Sequence, residues 1–295
     1  MADIPTFYPT EFQRNFDQVL QQMDTRLLGS ITRADFTGKR KWFNLIDAGS
    51  ATDITTRKGD TPDGDFSGSK YWLFQRAKER VTVFDEFDEK LLGQIVLPTS
   101  DEVQSHAMSF NRATDDVIIS AFDATRYIGE DGTDTDAFPS SQSIAANYVE
   151  SGSAVSSGLT IAKLRRAKYL FDYNEVPMDG RYIAVGAQQL QDLLRTAEIT
   201  NDNYNTVKAL VQGEVDTFLG FKFISTQRLP IDGSDIRSVF AWHNKGIKFS
   251  MAERKTRMDI LPNRRHALQI RSTMLLGAVR TENKRVVRIY CDETP

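Results

Sequence analysis

At 295 residues the chain is long enough to bury a sizeable core, as one large domain or two modest ones. Its 37 basic and 40 acidic residues leave a formal charge of −3, too close to neutral for generic attraction to nucleic acid or membrane. Apolar runs such as Thr273–Val279 are far short of the roughly 20 residues that cross a bilayer, the start Met1-Ala2-Asp3-Ile4-Pro5 lacks a signal-peptide pattern, and the single Cys291 can close no internal disulfide. A soluble α+β protein made in a reducing cytoplasm is expected.

Residues 1–40 read as an arm carrying one helix. Phe12, Phe16, Val19, Leu20, Met23 and Leu27 recur every three or four positions after the Pro9-Thr10 start signal, which places them on one helical stripe. A lone helix has nothing of its own to bury that stripe against, so it must dock on something else, a neighbouring subunit being one answer.

Residues 41–90 change to strands around a polar loop. Trp42, Phe43, Leu45 and Ile46 lead into the turn formers Thr55 to Asp65, where Asp60, Asp63 and Asp65 need no explanation beyond turn geometry. Tyr71 to Phe87 then alternates aromatic or β-branched residues with charges. The pattern predicts a long hairpin reaching out of the body. Trp72, Phe74, Phe84 and Phe87 exceed what such a hairpin can bury locally, which marks a contact surface.

Residues 91–158 open on the clearest helix start in the chain, Pro98-Thr99-Ser100-Asp101-Glu102, with Thr99 or Ser100 as N-cap and acids in the first turn. Val103, Ala107, Phe110, Thr114, Val117 and Ala121 predict one apolar face about five turns long, with His106 on the polar surface or at its edge. Residues 129–158, rich in Gly, Ser, Thr and Asp, predict an irregular connection. Its acidic run Glu130-Asp131-Gly132-Thr133-Asp134-Thr135-Asp136 lacks the twelfth-position Glu of a calcium loop and reads as a solvated linker.

Residues 159–235 predict helices near Ile161–Tyr173, Ala187–Ala197 and Asn205–Val211, and strands beginning near Tyr182 and Phe221. Three residues there shape backbone: Pro177 fixes φ for a turn, Gly180 permits an unusual φ, and Gly220 permits entry to a strand. Residues 236–295 are mostly strand, through Val239–Trp242, Gly246–Phe249, Ala267–Val279 and Arg285–Tyr290. No period of 20 to 50 residues appears, which excludes solenoid and propeller readings.

Chemistry is sparse. His106, His243 and His266 each lack a second His or Cys at ligand spacing, and no nucleophile elbow, Walker loop, dinucleotide fingerprint or His-Glu-x-x-His helix occurs. No catalytic, cofactor-binding or metal-binding residue is assigned. The C-terminal third is the most basic region; Arg254, Arg264 and Arg271 are its candidate DNA-facing or inter-subunit residues.

The succession Leu164-Arg165-Arg166-Ala167-Lys168-Tyr169-Leu170, Asn174-Glu175-Val176-Pro177-Met178-Asp179-Gly180-Arg181-Tyr182, Gly213-Glu214-Val215 and Leu219-Gly220-Phe221 resembles the axial domain of tailed-phage major capsid proteins, the Hong Kong 97-like shell fold. Element order extends the resemblance over most of the chain: arm, extended hairpin, peripheral domain with spine helix, axial domain, returning strands. It implies a non-enzymatic subunit without cofactor that self-assembles as pentamers and hexamers into an icosahedral head around double-stranded DNA, held non-specifically. A portal, a separate scaffolding protein, no membrane, and a location in the virion after assembly in host cytoplasm follow from the same resemblance. An encapsulin-like compartment keeps the fold, though the long arm argues against it. An enzyme with a dispersed active site is the reading from a different class.

Overall fold

The computed structural model describes residues 22–49, 51, 53–54, 56–57, 59, 67–85, 99–195 and 217–294. The expectations for Phe12, Phe16, Val19, Leu20, Asp60, Asp63, Asp65, Phe87 and the helix near Asn205–Val211 lie outside these residues. In chain order the first half holds β1 (Thr32–Arg33), β2 (Arg40–Ile46), β3 (Gly68–Phe74), β4 (Arg76–Phe84), the long helix α1 (Thr99–Asp123), β5 (Arg126–Ile128), β6 (Asp134–Asp136) and β7 (Ser143–Ile144). The second half holds α2 (Ile161–Tyr173), β8 (Arg181–Val185), α3 (Ala187–Arg195), β9 (Thr217–Phe218), β10 (Phe221–Ser225), β11 (Ile236–His243), β12 (Ile247–Leu261), β13 (Ala267–Arg280) and β14 (Val286–Asp292).

Among the described residues the strands form three sheets. The central one has six strands in the order β7-β14-β11-β8-β10-β9. Its β11 carries the run Val239-Phe240-Ala241-Trp242, fully buried on both faces, as expected of a strand covered on each side. Phe240 and Trp242 meet Phe122 at the end of α1, with ring centroids 5.0 and 4.7 Å away, and Phe171 of α2 meets Phe221 at 5.7 Å. The second sheet, β1-β12-β13-β4, runs outward from this core on the long ribbon β12–β13 and packs against α1. The third, β2-β3-β5-β6, is the hairpin region.

The expected hairpin is divided rather than continuous. β3 pairs with β2, but after Gln75 the chain crosses into the second sheet and β4 pairs with β13 from Leu276↔Arg76 to Leu268↔Phe84. Two residues make the crossing. Gln75 donates its amide to Phe36 O and Ser250 Oγ (3.2 and 2.7 Å), and Gly277 lets the Phe74 carbonyl pass where a Cβ would lie 2.1 Å from that oxygen.

The arm also departs from expectation where it is described. Met23 and Leu27 do not share a helix; the chain from residue 22 to 27 has no helical assignment and lies along α1. Asp115, wholly buried, accepts from Arg26 N and Leu27 N at 3.0 and 3.3 Å, while Asn111 and Arg112 donate to the carbonyls of Met23 and Gln22. Side chains of α1 thus satisfy backbone groups that a helix would have satisfied internally. The buried face of α1 is correspondingly shifted from the expected one: His106, Phe110, Thr114, Asp115, Ile118, Ala121 and Phe122 are buried, and Val103, Ala107 and Val117 only half so.

Residues 126–144 are less irregular than expected. The acidic run forms the turn and the second strand of the β5–β6 hairpin, with Arg126 bound to Asp136 across the pair at 2.7 Å, so it is a folded tip and not a linker.

Candidate functional site

The segment that carried the resemblance is held by one side chain. Arg181, 4% exposed, donates to Val176 O at 2.5 Å and Pro177 O at 3.0 Å and reaches Asp172 on α2 at 2.7 Å. Its guanidinium also lies over the Phe171 ring. A fork of fixed donors therefore joins the end of α2, the Val-Pro turn and the start of β8. Glu175 and Gly180 take φ of 55° and 78° in this turn. At Gly180 an added Cβ would also lie 2.9 Å from the Asn244 side chain, and Asn244 N donates to Gly180 O. Tyr182 stacks on Trp242 at 6.0 Å, whose indole N–H is bound by Ser30 O.

Gly220 serves a tighter purpose. Leu219 and Gly220 both have positive φ (52° and 83°) between the paired residues Phe218 and Phe221, the two-residue turn whose twist suits a hairpin. Space is not the constraint, since nothing lies within 4 Å of an added Cβ. Phe221, fully buried, then begins β10.

The hairpin aromatics Trp42, Trp72 and Phe74 share one face and differ in how far they are covered. Trp72 is 8% exposed; its indole N–H donates to Gly129 O at 2.9 Å, Arg40 covers its ring, and Gly132 of the β5–β6 turn lies against it. The third sheet thus supplies the local core that a projecting hairpin was expected to lack. Phe74, half-buried, meets Tyr127 edge-on at 5.1 Å, and Phe84 is half-buried at the end of β4. Trp42, Ile46 and Ile54 remain exposed.

Of the basic residues, Arg271 is paired with Glu79 at 2.9 Å and Arg254 reaches Asn111 at 3.4 Å. Arg264 is exposed on the turn that joins β12 to β13. That turn is strained: Arg265 and His266, neither of them glycine, take φ of 50° and 57°. Replacing Arg265 by glycine should therefore raise stability, by about 1 kcal/mol, seen as a higher denaturant midpoint at unchanged slope. A lower midpoint would mean that the arginine side chain secures the turn.

Buried charge marks what sequence reasoning passed over. Arg280 is 1% exposed and donates to Phe122 O, Ala124 O and Asn283 Oδ1 at 2.8, 2.9 and 2.7 Å, capping the carbonyl end of α1. Burial, with Arg126 nearby, lowers its pKa to about 10. Lys163 is wholly buried among the carbonyls of Ser157, Gly158 and Tyr290 at 2.6, 2.8 and 3.0 Å. Asp115 and Lys163 lie in stretches read as helix, where their only signal is a charge on an apolar face, and Arg280 falls one residue past the expected strand Ala267–Val279, which in the structure includes it.

No catalytic arrangement assembles from the histidines. His106, expected on the polar surface of its helix, is instead 1% exposed between α1, β4 and β13. His243 is buried in the central sheet, where its Nδ1 accepts from Lys245 N, and His266 is exposed in the strained turn. Burial pushes the Cys291 thiol up to about 12, which keeps it protonated and inert. Among the described residues no three His, Cys, Asp or Glu gather as metal ligands, and no helix is long and apolar enough to cross a membrane.

A family model described as phage capsid protein matches residues 4–293. None of the curated proteins matches the chain. Among solved structures, the capsid of the cyanophage P-SCSP1u is 12% identical with a TM-score of 0.73, covering 98% of this chain and 94% of its own. The capsid of Ralstonia phage GP4 is 10% identical, with a TM-score of 0.72 and complete coverage of both chains. The capsid of cyanophage Pam1 is 13% identical, with a TM-score of 0.68 and 99% of each chain covered. At these identities the likeness is one of fold, and the fold is the Hong Kong 97-like one.

Proposed function

Because the chain belongs to the phage capsid protein family, it is a structural, non-enzymatic protein of the icosahedral bacteriophage head, and we propose that its copies close that shell through extensions rather than one broad face. The carrying observation is the exposure of large apolar residues in the hairpin region, where Trp42, Ile46 and Ile54 are 49%, 70% and 94% accessible. Phe12, Phe16, Val19 and Leu20 belong to the same set of contacts, with Met23, which is 55% exposed beside α1. Trp72, enclosed by its own subunit, gives up that role to Trp42, while Phe74 and Phe84 contribute at the margins.

In this reading residues 1–40 are the arm, 41–90 the extended hairpin, 91–158 the peripheral part and 159–235 the axial part, with 236–295 returning through both; β4 passes from the hairpin to the peripheral part. Pentamers and hexamers form the shell, aided by a portal and a separate scaffolding protein in the host cytoplasm. Double-stranded DNA inside is met at its phosphates without base readout. The exposure of Arg264 and Arg265 supports that role for them, whereas Arg254 and Arg271, already bonded within the subunit, serve cohesion and neighbour contacts.

Electron microscopy of the expressed full-length chain tests the assignment. Regular shells are expected from the wild type. A Trp42→Ser, Ile46→Ser, Ile54→Ser triple variant should keep the far-ultraviolet circular dichroism of the parent while shell yield falls about ten-fold or more. Wild-type yield from a folded triple variant would overturn the contact assignment.

A further inference from the structure

Among the described residues His106 is the one histidine whose two ring nitrogens reach two different strands, and the direction of each hydrogen bond around it follows from its neighbours. Thr82 Oγ1 on β4 donates to Glu102 Oε1 at 2.7 Å. Having given its proton away, the Thr82 oxygen accepts from His106 Nε2–H at 2.9 Å. The neutral ring then has only Nδ1 left as an acceptor, and Ser272 Oγ on β13 donates to it at 2.9 Å. Ser272 in turn accepts from Thr256 on β12 at 3.0 Å. One chain of hydrogen bonds therefore crosses β12, β13, α1 and β4 and ends on a carboxylate.

A proton on Nδ1 breaks this order. Nδ1 becomes a donor, so Ser272 must turn its proton toward Thr256, and the Thr256 hydroxyl loses the acceptor it had in Ser272. The ring becomes a cation with 1% of its surface accessible, and Glu102 must then serve two cations, since Arg80 Nη2 on β4 already binds it at 3.2 Å. Neither β13 nor β12 supplies a compensating carboxylate among the described side chains in contact with the ring; they offer Ser272 and Thr256, and Arg254 farther along β12 faces Asn111.

We propose that His106 is a proton-operated latch: neutral, it fastens the first half of α1 to β13; protonated, it lets that half lift from the sheet. Burial foremost, and Arg80 next, hold its pKa below the ordinary histidine value, with Glu102 opposing them. The sign follows. The latch contributes its full stability above the unfolded value of about 6.5 and loses it as pH falls below that toward the depressed folded value.

Hydrogen exchange by mass spectrometry on the full-length chain, as free subunit or assembled shell, reads the latch without depending on the shell assignment. Corrected for intrinsic rates, exchange across residues 102–113 should rise about ten-fold from roughly pH 7.5 to 5.5, while residues 114–123 stay protected. His106→Gln should remove that pH dependence. Arg80→Met, which removes the competing cation, should move the midpoint to higher pH, and Glu102→Gln should move it lower. These opposite shifts carry the test should His106→Gln fail to fold. An equal pH response in wild type and His106→Gln, shifts of the same sign in the other two, or release of all of α1 together would overturn the proposal.

Discussion

Replacing Gly277 by alanine should cost about 3 kcal/mol and loosen the crossing between the hairpin region and the second sheet. The added Cβ would stand 2.1 Å from the Phe74 carbonyl oxygen and 3.0 Å from its carbon. Both are backbone atoms, so no rotamer change relieves the clash. The Phe74–Gln75 segment must move, and with it the bonds from Gln75 to Phe36 and Ser250. Denaturant unfolding with hydrogen exchange on β3 and β4 checks this, since the loss should centre there while α2 and β8 stay protected. An unchanged midpoint would show that the crossing has slack.

Arg181→Met should be comparably damaging, about 3 kcal/mol or more. Methionine keeps much of the apolar stem, so the loss reports the guanidinium. Without it the buried Val176 carbonyl has lost its donor, and Asp172 its cation. Lysine should rescue only in part, because one ammonium cannot reproduce a planar fork that serves two carbonyls and a carboxylate. Full rescue by lysine in thermal unfolding would mean that charge alone matters at this position.

These two sites mark the boundary of what the sequence alone discloses. Helix α2, expected near Ile161–Tyr173, spans those residues because its apolar face is a local signal; the structure adds Thr160 as the N-cap, its hydroxyl accepting from Lys163 N. The turns at Gly180 and Gly220 are legible for the same reason, since each rests on a φ available mainly to glycine. The division of the hairpin at Gln75 is not, because its partner Ser250 lies 175 positions away. The burial of His106 and the role of Asp115 are hidden on similar grounds; their partners Ser272 and Arg26 are 166 and 89 positions distant. A polar residue on an apolar face breaks a periodic pattern locally, and only the fold reveals what it binds. The contact surface shows the same limit, with Trp42 outside and Trp72 inside although they stand directly opposite each other in the pairing of β2 and β3.

Within the second sheet β13 is held by β4 from Leu268 to Leu276, whereas β1 covers the other side of β12 only at Lys248 and Phe249. Ile247 and Phe249 lie in the core beside β1, and past the irregularity between Met251 and Glu253 the strand is exposed from Glu253 to Ile260. At roughly 3.3 Å per residue, the Arg264–His266 turn stands about 30 Å beyond that irregularity. A bulge is where a strand bends most readily. A rotation of about 5° there, taken by β12, β13 and the paired β4 together, would carry the turn sideways by about 2.5 Å, close to the length of a hydrogen bond. A small adjustment at the root thus becomes a large displacement at the tip, and the exposed Arg264 and Arg265 are carried with it while the core stays packed.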